Sequence, residues 1–396
     1  MLDIEATRLL NFSINIIKLL KILSKSKFEF SKPSQRDILV FDNTNTFVVQ
    51  KYLGKNKSTL YTRNEKFNLY VLIANFIQGK FSKIEYINSF INFVNPKIII
   101  STIDNNPFFY SLKTTKNQKK ILIQTAWKSP VYDGSILKLI KNRVTVVKKK
   151  NYSIDLIFVF NNYFGKLFRK LNSKKVITIG SLKSNHYYKK NIKKNIDLLF
   201  ISSWADRDSN SKITSELKFF EYQRYQSLIL KNLSTYIKKY KLKLYILGRH
   251  NNEKSSDEFN YFNNFFKENN WKFLVNDNIN SYKLVDKSEV ILTFHSTLGY
   301  ESLSRGNKTI FINPFSLKKS MESTKFGWPS KLKKNGPFWT TKVTYRGFET
   351  IVDRVRNMKN NEFKSLFLKY AKNLMPHDKN NKIFNAEFMK INKISK

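Results

Sequence analysis

The chain of 396 residues contains no cysteine. This excludes disulfides, iron–sulfur clusters, thiolate zinc sites and cysteine nucleophiles together, and it fits a reducing, intracellular compartment. Glycine and proline are scarce, at 11 and 8 residues, far below the roughly 12% of average usage. Collagen-like repeats and long flexible linkers are therefore excluded. Only four histidines occur (His186, His250, His295 and His377), and no two have the spacing of a metal pair on one helix face. Charge-free apolar runs fall short of the roughly 18–20 residues of a membrane span. Walker A and GxGxxG loops are missing, which disfavours an ATPase or a dehydrogenase.

Acidic residues are also few. There are 72 Lys and Arg against 29 Asp and Glu, for a net charge of +43. Such a balance has two readings: a surface made uniformly basic by a drift toward Lys and Asn, or a polyanionic partner. The lysines are spread along the chain, with no zinc finger, no RNP-like aromatic motif and no concentrated basic tract. No nucleic-acid partner is expected, and a basic nucleic-acid-binding protein stands only as the alternative from another functional class. Anionic membrane and phosphorylated substrates remain. Residues 8–23 suit the membrane in one respect. Leu9, Phe12, Ile16, Leu19, Leu20 and Leu23 recur at helical spacing, interrupted by Lys18 and Lys21. This amphipathic helix either packs on its own domain or lies on a bilayer. No small-residue cleavage site follows it, so a secretory signal is disfavoured.

What the chain has in plenty is apolar and aromatic residues, 41% and 15%, enough for more than one core. From residue 36 short apolar runs alternate with helical patterns. Runs at 37–41, 97–100, 121–124, 155–160 and 176–179 read as strands, with helices at 67–77, 84–94 and 161–171. After a Lys-rich stretch the pattern restarts. Strands are expected at 197–201, 243–247, 271–275, 290–294 and 309–312, and helices at 215–239, 259–269, 281–286 and 297–305, with a long terminal helical region at 348–374. Strands apolar throughout, joined by helices, are what a parallel sheet covered on both faces requires. The expected fold class is α/β: two doubly wound halves facing across a cleft. The divisions are 1–182 for an acceptor-side domain including the helix at 8–23, 183–194 for a linker, 195–375 for a donor-binding domain and 376–396 for a basic tail.

In such a sheet, ligands bind beyond the carboxyl ends of the strands. The richest stretch there is VILTFHSTLGYESLSRGNKTIFIN, residues 290–313. A strand delivers His295, Ser296 and Thr297 to the cleft, and a helix starting at Thr297 points its N-terminus at whatever binds. Glu301 lies one turn in, and Gly306 closes the helix. Hydroxyls and amides for phosphate, with a carboxylate for two ribose hydroxyls, make a nucleotide-sugar clamp. A plain helix cap is the competing reading. Ser202 ends the strand at 197–201. Arg249 and His250 end the strand at 243–247, where a guanidinium fork suits a donor phosphate.

The stretch at 290–313 resembles the donor-binding strand–loop–helix of glycosyltransferases with the GT-B fold. The segments TIDNNPFFY (102–110), ILIQT (121–125), FVF (158–160) and IGS (179–181) resemble bacterial surface-carbohydrate biosynthesis proteins more narrowly. Gln124 is followed here by Thr125, Ala126 and Trp127 where relatives often carry a Gly-containing turn. The resemblance implies two Rossmann-like halves in a GT-B arrangement and transfer from a nucleotide-sugar donor to a growing, lipid-linked or oligosaccharide acceptor. A CMP-sugar of the Kdo or sialic-acid type is one donor it implies, and a glycerol- or ribitol-phosphate transferase of similar fold is the alternative. Asp104 is expected to activate the acceptor or attack the sugar, with His295 as second base, and Asn105, Asn106 and Gln124 line the acceptor side. No cofactor and no metal are expected. The DxD-like Asp206-Arg207-Asp208 opens a polar loop and reads as solvated. The expected location is cytoplasmic, peripheral on the inner face of the cell membrane.

Overall fold

The computed structural model describes residues 24–104, 106–127, 154–169, 173–187, 192–204, 216–277, 280–317 and 324–394. The amphipathic segment at 8–23, Asn105 and Asp206–Asp208 lie outside the described residues. Strands follow the expected runs closely, because a run buried on both faces leaves little choice of periodicity. In chain order they are β1 (Lys27–Glu29), β2 (Ile38–Phe41), β3 (Lys57–Leu60), β4 (Lys66–Asn68), β5 (Ile98–Ser101), β6 (Lys119–Ile123), β7 (Ile154–Val159) and β8 (Ser173–Thr178). The second half contributes β9 (Ile196–Ile201), β10 (Leu244–Leu247), β11 (Trp271–Leu274), β12 (Ser288–Thr293), β13 (Thr309–Ile312) and β14 (Trp339–Thr340).

Two six-stranded sheets result, in the orders β3-β2-β5-β6-β7-β8 and β11-β10-β9-β12-β13-β14. Every pairing within them is parallel. Parallel neighbours need a crossover, which helices such as Lys83–Val94 and Glu216–Lys239 supply. The order reverses direction between β2 and β5 in the first sheet and between β9 and β12 in the second. A crevice opens at each such reversal, beyond the carboxyl ends of the strands. The central strands β2, β5, β9 and β12 are buried almost throughout.

The last part of the chain departs from expectation. The helical region expected at 348–374 consists of two helices, Tyr345–Asn357 and Asn360–Tyr370. The chain then returns to the first half. Asn161 donates to the Leu374 carbonyl at 2.6 Å and Asn381 donates to the Leu182 carbonyl at 2.9 Å. Gly180, at φ +68°, makes room for this crossing: a Cβ there would sit 1.8 Å from the Pro376 carbonyl oxygen. The segment expected as a basic tail contains a helix, Lys382–Ile394. Its Phe384 and Phe388 are buried against Ile38, Val40 and Ile98 of the first sheet. The reason is spacing: Phe384, Phe388 and Ile391 share one helical face while the lysines occupy the other. Likewise the expected linker begins as a helix, Leu182–His186, with Ser184 and Asn185 buried.

Candidate functional site

At the reversal point of the second sheet, the loops after β9 and β10 converge on one buried carboxylate. Glu258, on the helix Lys254–Phe266, is fully buried. It accepts hydrogen bonds from the Ser202 hydroxyl at 2.5 Å, the Arg249 N–H at 2.9 Å and the His250 N–H at 3.1 Å. The Ser202 hydroxyl in turn accepts from the Trp204 N–H at 3.0 Å. Ser202 is therefore a brace within the loop. Sequence reasoning passed over Glu258. Its signal was a carboxylate at the head of an apolar stripe, Glu258, Phe262 and Phe266, spaced by four. Above this anchor, the exposed Arg249 donates from Nη1 to the Trp204 carbonyl at 3.2 Å, and the His250 ring meets Trp204 edge-on at 5.6 Å.

On the other side of the reversal, β12 delivers His295, Ser296 and Thr297. The His295 Nδ1 atom is shielded from solvent without a hydrogen-bond partner. Burial, with the Arg249 charge close by, pushes this imidazole down to about 4. It is neutral at physiological pH, a poor base and a good neutral hydrogen-bond partner for phosphate. Ser296 is the N-cap of the helix Thr297–Ser304, yet its hydroxyl makes no capping bond. The helix lies close on the sheet because Gly299 has no Cβ, which would meet Thr293 Cγ2 at 2.6 Å.

The first sheet presents a different rim. Asp42 follows β2 with φ +71° and is fully buried. Its carboxylate accepts from Thr62 at 2.6 Å, from the Thr44 N–H at 2.9 Å and from Arg63 at 3.1 Å. Burial alone would raise this carboxyl, but those bonds and the Arg63 charge bring it below the ordinary value. Asp104 follows β5 on the other side of the same reversal, 2% exposed, with its main-chain carbonyl fixed by the Tyr110 hydroxyl at 2.7 Å. Asn106 donates to Thr62 at 3.3 Å and accepts from the Phe108 N–H at 3.0 Å. Gln124 accepts from the Phe160 N–H at 3.0 Å and donates to the Ala126 carbonyl at 3.3 Å. With its side chain 1% exposed, Gln124 braces two loops instead of lining an open acceptor surface. The residue missed on this rim is Asp42, which follows its strand into a turn as Asp104 does.

The two rims touch. The Trp127 N–H donates to the Thr297 hydroxyl at 2.8 Å, and the Trp127 and Tyr300 rings stack at 3.6 Å, 7° from parallel. Glu301, 4% exposed, accepts from the Ser181 hydroxyl of the first half and from the Tyr282 hydroxyl of the second, the latter at 2.9 Å. Burial raises the Glu301 carboxyl above its ordinary value, against those two hydrogen bonds and the Lys183 charge. Nearby, Arg305 forms a buried two-pronged ion pair with Asp286 and also donates to the Ser184 carbonyl at 3.1 Å. Ser202, Arg249, His250, His295, Ser296 and Thr297 thus follow the carboxyl ends of β9, β10 and β12, and Asp104, Asn106 and Gln124 follow those of β5 and β6, with Ser202 and Gln124 engaged as braces. Glu301 lies at the seam between the halves. Among the described residues no group of three His, Asp or Glu is arranged for a metal ion.

Comparison with known proteins agrees with this architecture. The model of a family described as "putative O-antigen biosynthesis protein" matches residues 121–393. No curated protein matches the sequence. Among solved structures, the chain is similar to the wall teichoic acid polymerase TagF, at a TM-score of 0.51 and 12% identity, covering 91% of this chain and 90% of that one. It is similar to a Listeria monocytogenes protein described as "putative UDP-N-acetylglucosamine 2-epimerase", at a TM-score of 0.55 and 9% identity, covering 91% and 98%. A third similar structure is Methanocaldococcus jannaschii UDP-GlcNAc 2-epimerase in complex with UDP-GlcNAc and UDP, at 0.52 and 11%, covering 89% and 99%. At such identities the likeness is one of fold: two Rossmann-like halves across a cleft, as in GT-B enzymes.

Proposed function

Because the chain belongs to this family of O-antigen biosynthesis proteins, we propose that it is a glycosyltransferase that moves a sugar from a nucleotide-sugar donor to a growing surface polysaccharide. One observation carries the reading. At the reversal of the second sheet the strand ends carry a guanidinium and an imidazole on a loop anchored on Glu258, with the His295 imidazole and the N-terminus of the helix Thr297–Ser304 beside them, while carboxylates occupy the first sheet's reversal. Cationic groups and helix N–H donors stabilise a departing nucleotide phosphate without reorganising. No metal or other cofactor is part of the proposal, since positive charge supplies that stabilisation.

In this scheme Arg249 and His250 meet the donor phosphates, neutral His295 and the Ser296 and Thr297 hydroxyls hydrogen-bond to them, and Glu301 takes the ribose hydroxyls when a nucleotide displaces Ser181. Asp104 accepts the proton of the acceptor hydroxyl or attacks the sugar carbon in a retaining route. A CMP-sugar of the Kdo or sialic-acid type is the first donor to try, with a lipid-linked or oligosaccharide acceptor at the cytoplasmic face of the membrane. The fold likeness to TagF favours a second reading, transfer of glycerol or ribitol phosphate.

A thermal-shift screen of CMP, CDP, UDP and GDP tests the reading. A nucleotide at about a hundred times its dissociation constant stabilises by about 2.7 kcal/mol. Stabilisation by at least one, lost in Arg249→Ala, is expected; none by any of the four would refute a nucleotide donor. Product analysis with the matching nucleotide-sugar against CDP-glycerol then separates sugar from phosphoalcohol transfer.

A further inference from the structure

One face of the first half is apolar, exposed and outside the cleft. The helix Leu69–Ile77 (LYVLIANFI) is apolar almost all round. Val71 points into the core, while Ile73 is 59%, Phe76 72% and Ile77 78% exposed. The patch continues beyond the helix, since Phe81, 75% exposed, meets Phe76 edge-on at 5.8 Å. It also extends to β1, which pairs with β4 immediately before the helix; the next residue there, Phe30, is 75% exposed. A soluble surface carries such side chains singly, and a contiguous set marks an interaction site.

The rim of this patch is basic. Glu29 is matched by Lys66 at 3.1 Å, and Glu85 is spent on capping Ser82. Lys27, Lys32, Lys80 and Lys83 lie around it, against Glu65, the acidic neighbour of Lys83. Lys83 lies over the Phe108 ring at 5.6 Å, in the turn that follows Asn106, so the patch borders the mouth of the rim that carries Asp104. Side chains exposed by 70% or more protrude; a groove holding another helix would leave them half-covered. Protruding aromatic and aliphatic groups ringed by lysine match an interface of apolar chains beneath anionic headgroups.

We propose that the face formed by Phe30, Ile73, Phe76, Ile77 and Phe81 seats in an anionic lipid bilayer, holding the acceptor rim at the membrane surface. No helix among the described residues is long and apolar enough to cross a membrane; the contact proposed is peripheral. The inference deepens the reading of a lipid-linked acceptor, and it can fail while transfer itself stands.

The test is co-sedimentation of the full chain with phosphatidylglycerol-rich and pure phosphatidylcholine vesicles at low salt, beside the triple variant Ile73→Ser, Phe76→Ser, Phe81→Ser. The parent should bind the anionic vesicles, and the variant should bind at least about tenfold more weakly, since each lost side chain removes apolar burial. The melting temperature and nucleotide stabilisation of the variant should match the parent, because these groups are exposed in the folded chain. Lys80→Glu should weaken binding to anionic vesicles and leave phosphatidylcholine binding unchanged. A parent that ignores anionic vesicles, or a triple variant that binds as the parent does, overturns the proposal. So does a triple variant with unchanged vesicle binding and a lower melting temperature or smaller assembly, which would show the face covered by residues 8–23 or by a second copy. Loss of vesicle binding with nucleotide stabilisation intact separates this proposal from the functional one.

Discussion

The two halves share an architecture and differ in the charge at their rims. Where the first sheet reverses, the strand ends carry Asp42 and Asp104, both buried; where the second reverses, they carry Arg249 and His250, held on Glu258, and His295. The same parallel geometry therefore supports different side-chain chemistry, because strand order sets where a crevice opens and loop residues set what it attracts. A carboxylate rim suits a hydroxyl that must lose a proton, and a rim of one guanidinium, neutral imidazole and helix N–H donors suits a phosphate that must leave. The seam between them, Ser181 to Glu301 and Trp127 to Thr297, joins the two.

The largest expected effect comes from uncoupling the halves. Asp286→Ala strips the partner from Arg305, both side chains being 2% exposed, and Arg305 also holds the Ser184 carbonyl of the first half. Breaking a buried pair costs about 3–5 kcal/mol, so denaturant unfolding should show a loss of that size; a loss below about 1 kcal/mol would mean that the pair does not tie the halves.

The difference between the rims is tested next by Asp104→Asn. Nucleotide affinity should hold while turnover falls at least about 10²-fold, the lower end of general-base effects. A parent-like rate would reduce Asp104 to a turn residue and shift attention to Asp42.

Glu301→Ala probes the seam in two ways. As the ribose clamp, its loss should weaken nucleotide binding roughly 10–150-fold, the worth of a hydrogen bond to a charged group. It should also lower stability by about 1–3 kcal/mol, because the Ser181 and Tyr282 hydroxyls lose their acceptor in a buried place. A helix-dipole term alone, which is all the sequence suggests, would be smaller. Lost stability with unchanged affinity would make Glu301 a connector of the halves and nothing more.

The smallest effect concerns His295. Its folded value of about 4 lies below the unfolded value of about 6.5, so in the free protein protonation is disfavoured. A bound phosphate raises that value, so binding takes up a proton and affinity should rise as pH falls from 7 toward 5.5, by a few-fold at most over that window. A nucleotide-sugar should be used, since its phosphodiester does not titrate there. Calorimetry in two buffers would detect the proton, and His295→Asn should flatten the profile. A flat profile in the parent would remove His295 from the phosphate site.

Much of this molecule could be read along the chain. The run IDLIFV became β7 and TIFI became β13, because a strand covered on both faces is apolar throughout and a helical pattern is not. The edge strand β3 (KSTL) went unread, since an edge can be polar and its pattern then resembles a loop. The helix Lys382–Ile394 was hidden by its lysines, and the sheet that buries Phe384 and Phe388 is built from residues near the other end of the chain.

The amino-acid order by itself determined the buried strands and the helices between them, and hence that those strands run parallel and open at their carboxyl ends. It thereby selected His295, Arg249 and Asp104 as rim residues. Only the tertiary structure decided which rim groups are already engaged. Gln124 and Ser202 brace loops, Glu258 anchors two of them, and Glu301 meets Ser181 across 120 residues, as Thr297 meets Trp127 across 170. Local periodicity records which side of an element is buried, because each residue's neighbours along the helix or strand share that burial. It carries no record of the partner, which is chosen when elements distant in sequence pack and a buried polar group takes whatever donor or acceptor lies within reach.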